Sequence, residues 1–164
     1  MATSATSPAD LARAIFDAFN AHDVDAMRAV WADDVVERFP DETFHGAEAL
    51  AAAMRELFEA LPDGHMAIQT LVEDGETVMV RWRLTGTHRG PFKGIRATGG
   101  AVSLDGTDHF TFREGKQVEN FVIFDRMQFA QQLGMMPPDG SGPEKGMRAL
   151  FNARTALKTR LKRS

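Results

Sequence analysis

The chain has 164 residues, no cysteine, no tyrosine and a formal net charge of −4. That length fits one domain with a real hydrophobic core, and the lack of cysteine excludes disulfides, thiolate nucleophiles and cysteine-ligated metal sites. No apolar run approaches the roughly 18–20 residues of a membrane span, and the polar start Met1–Ser7 has neither the basic nor the apolar region of a signal peptide, so the expectation is a soluble, cytoplasmic protein without membrane insertion.

Residues 1–7 are expected to form a flexible N-terminus. Ser7 followed by Pro8 is an N-cap with a first-turn proline, and Leu11, Ile15, Phe16 and Phe19 recur at helical spacing to about Ala21. Asp23 is placed to cap a short second helix, Val24 to Trp31. Asp33-Asp34 should end that helix, with Val35 to Pro40 a short strand stopped by proline. A third helix, about Ala47 to Ala60, puts Leu50, Met54 and Leu57-Phe58 on one side before Pro62-Asp63-Gly64 breaks it.

From Met66 the apolar period changes from about 3.6 to 2. Met66 to Val72 reads as a strand, Asp74-Gly75 as a hairpin turn, and Thr77 to His88 as a second strand with Val78, Val80, Trp82 and Leu84 on one face. After the glycine-rich connection Gly86 to Gly100, strands Ala101 to Arg113 and Lys116 to Asp125 flank Glu114-Gly115, and Arg126 to Leu133 forms a helix ended by Gly134. Helices first and a strand meander afterwards predict an α+β fold whose curved sheet closes over the N-terminal helices. The domain is expected over 8–134, with 135–164 a linker and basic C-terminal helix packed on the body or a partner subunit. Glu144 to Ser164 holds seven Lys/Arg against one Glu, so this tail carries +6 and the remainder −10. It lacks the aromatic stacking platform or reading helix that nucleic acid would need, so no nucleic-acid partner is expected.

The stretch Val80-Arg81-Trp82-Arg83-Leu84-Thr85-Gly86-Thr87-His88, with Gly90-Pro91-Phe92-Lys93-Gly94-Ile95, Gly106-Thr107-Asp108-His109-Phe110, Val118-Glu119 and Asp125 leading to Gln131-Gln132-Leu133-Gly134, resembles the SnoaL-like polyketide (ester) cyclases of the nuclear-transport-factor-2-like superfamily. The resemblance runs from about Leu11 to Gly134. It implies a cone of mixed or antiparallel curved sheet around N-terminal helices, a homodimer with the outer sheet face buried, and an aspartate matching Asp125 that acts as acid/base in an intramolecular aldol closure with no cofactor. Where the family often has His-Trp after Val-Glu this chain has Asn120-Phe121, and Arg38 stands where a histidine is common.

The residues themselves carry the chemistry further. If Glu114-Gly115 is a tight two-residue turn, Asp108 lies opposite Phe121 and Leu104 opposite Asp125, and Asp108, Phe121, Ile123 and Asp125 share one sheet face. A one-residue bulge would reverse that relation and make His109 the inward alternative. Asp125 walled by Leu104, Ile123 and Phe121 would have a raised pKa suited to taking and returning a proton; as the residue before a helix, it is equally suited to N-capping. Asp108 is the second candidate acid. His88, on the parity of Trp82, is placed to donate to a carbonyl oxygen or to tie the glycine-rich loop. Arg38 is a candidate for an anionic substrate oxygen or for an ion pair with nearby acids, and Trp82, Phe121, Phe39, His109 and Trp31 are candidate pocket walls.

Metal binding is not expected, since the five histidines show no His-x-x-x-His spacing. No nucleophile elbow or phosphate loop is present. Asp108-His109-Phe110-Thr111-Phe112 is also similar to a ketosteroid isomerase strand, but the base of that enzyme would fall near Arg38, which cannot act as one. Epoxide hydrolases of the superfamily pair an aspartate matching Asp125 with an Arg-x-Asp strand, for which this chain has Arg81-Trp82-Arg83. The expected function is a cofactor-independent acid/base enzyme on a hydrophobic, carbonyl-bearing small molecule, of polyketide-cyclase type. The alternatives are a non-catalytic ligand-binding or assembly module and an isomerase or epoxide-hydrolase-like enzyme.

Overall fold

The computed structural model describes residues 6–161, and the expectation of a flexible N-terminus falls largely on residues 1–5, outside the described residues. Helix α1 (Pro8–Asn20) opens as its sequence requires: Ser7 Oγ accepts from the Asp10 amide at 3.1 Å, satisfying an otherwise orphaned first-turn donor. Asp23 does the same for α2 (Val24–Val30), accepting from Ala26 N at 2.9 Å. Ile15, Phe16 and Phe19 of α1 are buried against the sheet, each contributing roughly 1.5–3 kcal/mol of burial. The end of α1 is pinned to the sheet by Asn20, whose carboxamide both accepts from Met66 N and donates to Met66 O.

Strand β1 (Trp31–Arg38) follows α2 without a gap, so Asp33-Asp34 lie inside a strand rather than ending the helix. A short strand absent from the sequence reading, β2 (Thr43–His45), turns back along β1 and leads to α3 (Ala47–Ala60). The meander then runs β3 (His65–Asp74), β4 (Thr77–Thr87), β5 (Ala101–Arg113) and β6 (Lys116–Phe124), closed by α4 (Arg126–Gln132). These bounds fall within two residues of the pattern-based ones, because the alternation of Val78, Val80, Trp82 and Leu84 against exposed partners leaves one solution for the core face.

The six strands form one mixed sheet in the order β2-β1-β6-β5-β4-β3, with β1 parallel to β6 and the other pairs antiparallel. Helices α1 and α3 lie in its concavity, so this is an α+β cone whose core is shared between the inner sheet face and the helices. Helix α5 (Gly142–Leu161) extends beyond the cone, and its Met147, Leu150 and Phe151 are exposed in the single chain rather than packed on the body.

One irregularity in the meander decides the site. Glu114-Gly115 is the tight turn expected, with Arg113 opposite Lys116, but Thr111 pairs with Glu119 while Phe112 pairs with Gln117. Val118 is therefore an extra residue on β6, a bulge that inverts the facing of everything beyond it. The expected register is corrected: Asp108 lies opposite Val122 and His109 opposite Phe121. The bulge reversed β6 and left β5 unchanged, so Asp108 keeps its inward position and His109 does not take it.

Candidate active site

The cone encloses a cavity of about 580 Å³. Its walls are aromatic and aliphatic, with Phe16, Phe19, Phe39, Phe44, Phe110 and Phe124 among them. Set into these walls are two carboxyl side chains, Glu37 from β1 and Asp108 from β5, each 7% exposed. Glu37 is held by both neighbouring carboxamides on β6. Gln117 Nε2 donates to its Oε2 and Asn120 Nδ2 to its Oε1, each at 2.8 Å.

The bulge makes this clamp possible. Residues three apart on a regular strand face opposite ways, yet Gln117 and Asn120 both point inward because Val118 absorbs one step. The parallel pairing then sets Glu37 directly beside Asn120. On the other side, Trp82 lies across Gly106, where an added Cβ would stand 2.2 Å from the indole ring, so only glycine lets the ring lie there.

Burial dominates the electrostatics. The Glu37 carboxyl is pushed up to about 8, first by desolvation and then by the nearby Asp108, against the two amide hydrogen bonds that favour its charged form. Desolvation likewise pushes Asp108 up to about 7, partly offset by the Trp82 indole and the Asn120 carboxamide that face it. Trp82 Nε1, Gln117 Oε1 and Asn120 Oδ1 are buried without a hydrogen-bond partner of standard geometry.

The cavity's rim is charged. Lys93 Nζ reaches Asp41 and Glu42, both at 3.1 Å, and Arg126 reaches Asp41 at 3.3 Å. Phe92 from the β4–β5 connection meets Phe129 of α4 edge-on across the same rim.

Of the residues singled out in the sequence, Asp108, Trp82, Phe39 and Trp31 line this cavity together. The others lie elsewhere. Asp125 is exposed, outside the cavity lining, and its Oδ1 accepts from Gln128 N at 2.9 Å as the N-cap of α4. It was expected to share Asp108's face; the Val118 bulge turns it to the other. Phe121 and His109, paired across β5 and β6, both project from the outer face. Arg38 alternates away from Glu37 and forms an ion pair with Glu119 on the outer side. His88 does have the inward parity and is 0% exposed, but it is not among the cavity walls. Its Nδ1 lies 3.0 Å from Thr98 Oγ1, tying the glycine-rich connection to the end of β4.

Glu37, Gln117 and Asn120 escaped the sequence reading. A signal for Glu37 existed: it shares strand parity with Val35 and Phe39, one buried and the other a cavity wall. For Gln117 and Asn120 the signal is a bulge with no glycine to mark it.

Cone, inner helices and a deep apolar cavity with a few polar groups define a pocket-bearing protein of the nuclear-transport-factor-2-like class. The model of the SnoaL-like polyketide cyclases matches residues 9–133, and the chain belongs to that family. Among curated proteins no sequence match is found. Among solved structures, 82% of the chain covers all of AclR from Streptomyces galilaeus, provisionally assigned as a hydroxylase, at 25% identity and a TM-score of 0.72. A provisionally assigned SnoaL-like polyketide cyclase from Jannaschia sp. CCS1 shares the fold at 23% identity and a TM-score of 0.74, over 84% of this chain and 98% of that one. IdmH from Streptomyces antibioticus, also provisionally a polyketide cyclase, is 26% identical over 78% of this chain and 99% of its own, with a TM-score of 0.68. Among the described residues no helix is long and apolar enough to cross a membrane.

Proposed function

We propose that the protein is an acid/base enzyme that closes a ring in a hydrophobic, carbonyl-bearing small molecule, with Glu37 and Asp108 as the proton-handling pair. The observation that carries this reading is the placement of two carboxyl groups in the wall of an apolar cavity, where burial brings both into the neutral range. A pair in that state holds about one proton between pH 7 and 8, so it offers a base and an acid at once. In an aldol closure the ionised carboxylate takes a proton from the carbon next to a carbonyl. The resulting enolate carbon bonds to a second carbonyl carbon, and the protonated carboxyl gives its proton to the oxygen released from that double bond. The pair ends with one proton, as it began, and the product is an isomer of the substrate. The apolar walls keep water from the enolate and strengthen each electrostatic contact.

The test is turnover of a panel of hydrophobic poly-β-carbonyl compounds, followed by product mass and ring connectivity. Glu37→Gln and Asp108→Asn should each lower the rate about 10²–10⁴-fold while circular dichroism stays native. Undiminished turnover in both variants would reject the pair as the catalytic acids, and binding without turnover by the wild type would favour the ligand-binding alternative.

Isomerisation is a second reading with its own support. The position near Arg38 expected to lack a base is flanked by Glu37, which faces the cavity beside Asp108. One ionised and one protonated carboxyl can relocate a double bond through a dienolate, and a product of unchanged ring count would distinguish this from cyclisation.

For the homodimer, the proposed contact is the outer sheet face, where Phe121, Met79 and Val72 lie in one cross-strand row and, with Ile123, are exposed. A monomeric mass by light scattering at micromolar concentration would remove it.

A further inference from the structure

Asn120 is the residue at this site whose position the acid/base reading leaves unexplained. It is 2% exposed, its Nδ2 donates to Glu37 Oε1 at 2.8 Å, and the same carboxamide faces Asp108. Gln117, equally buried, donates to Glu37 alone. We infer that Asn120 is a positioning residue that joins the two carboxyl groups into one proton-sharing unit, its amide nitrogen serving both acids, while Gln117 serves only Glu37. This rests on the reading of Glu37 and Asp108 as the acid/base pair and deepens it.

The geometry admits this role because β6 lies between the strands that carry the two acids. Asn120 pairs with Glu37 on β1 at one side and with Phe110 on β5 at the other, two residues from Asp108. A neutral donor there stabilises a negative charge on either neighbour without adding a charge of its own. Its Oδ1, buried without a partner, is an acceptor that a protonated carboxyl would satisfy, since a neutral acid gains an O–H donor. Among the described residues, the shifts of Glu37 and Asp108 owe nothing to a charged group other than each other. Trp82 on β4 is neutral, α1 contributes apolar walls, and the remaining charged residues lining the cavity are Asp41, Glu42, Glu56, Lys93 and Arg126. Lys93 and Arg126 are paired with Asp41 at the rim.

The experiment needs no substrate, so its outcome is separate from that of the turnover assay. Carbon-13 carboxyl resonances of Glu37 and Asp108 are followed from pH 4 to 10 in the full chain, with Glu37→Gln and Asp108→Asn providing assignments. In the wild type both signals should titrate well above ordinary carboxylates, each sensing the other's proton. Asn120→Leu, similar in volume but without a donor, should raise both titrations by about one unit, on the scale of one lost hydrogen bond to a charged group. Gln117→Leu should raise Glu37 without raising Asp108, which the longer-held proton on Glu37 leaves unchanged or slightly lowered. A purely structural role for Asn120 would leave both titrations where they were, and equal responses to the two substitutions would likewise overturn the assignment. If Asn120→Leu does not fold, the wild type decides: independent titrations with no mutual step, or titration in the ordinary range, reject the shared unit.

Discussion

The two faces of β6 use one stretch of nine residues for opposite ends. On the inner face Gln117, Asn120 and Val122 are buried, and two of the three are polar side chains fixed on a carboxyl. On the outer face Phe121 and Ile123 are apolar and 47% and 56% exposed. Hydrophobicity alone assigns these faces the wrong way round. What decides them is the pairing of β5, whose Phe110 and Phe112 are locked inward, together with one extra residue at Val118. Polar residues are tolerated inside because Glu37 uses their donors, whereas burying them unpaired would cost roughly 1–3 kcal/mol each.

Inserting one alanine between Glu119 and Asn120 attacks that difference most directly. If β5 keeps its pairing, the added residue drives Phe121 and Ile123 inward and Asn120 and Val122 outward, whereas deleting Val118 leaves Asn120 opposite Phe110 and the faces as they are. The expected result of the insertion is loss of a cooperative urea transition; an insertion variant that unfolds cooperatively with wild-type midpoint would show that register is not what separates the faces.

The inner carboxyl pair should also reveal itself in stability against pH. Both groups have folded-state pKa values above their unfolded ones, so the folded protein binds more protons than the unfolded chain across this range. The associated stabilisation is complete below the unfolded values near 4 and is lost as pH rises through about 7 and 8. Urea denaturation should therefore give stability falling by a few kcal/mol between about pH 5 and 8, with the slope nearly abolished in the Glu37→Gln, Asp108→Asn double variant. The exposed Asp63, Asp105 and Glu48, held below the ordinary range by their partners, act in the opposite sense and only at lower pH. A flat or rising profile over the stated window would contradict the burial of the pair.

The smallest effect belongs to the outer side. Asp125→Ala should lower stability by about 1 kcal/mol through loss of the α4 cap, with turnover unchanged, and Asp125→Asn should retain the cap. A large loss of turnover in Asp125→Asn would place that carboxylate in the chemistry and reopen the face assignment.

Legibility in the sequence followed the range of the interaction involved. Ser7, Asp23 and the helical spacing of Ile15, Phe16 and Phe19 act within a few residues, so the starts of α1 and α2 were readable. The strand alternation of β4 was equally local, and it put Trp82 on the core face; the choice between Asp108 and His109 as the inward residue of β5 was left to the hairpin register and is made by the structure. Asp125 was legible as a cap because capping too is local. Its place in a shared face with Asp108 was not, because that required counting residues across a hairpin in which one extra residue inverts the outcome. The parallel pairing of β1 with β6, which puts Glu37 beside Asn120, joins residues 83 positions apart and leaves no local trace.

The sequence by itself determined the α+β class, the order of the elements other than β2 and the core face of β4, since periodicity and capping are properties of neighbouring residues. The tertiary structure alone decided that Glu37 is the second acid, that Gln117 and Asn120 hold it, and that Asp125 faces away. Those facts depend on strand pairing and a bulge, where the register of distant segments sets which atoms meet.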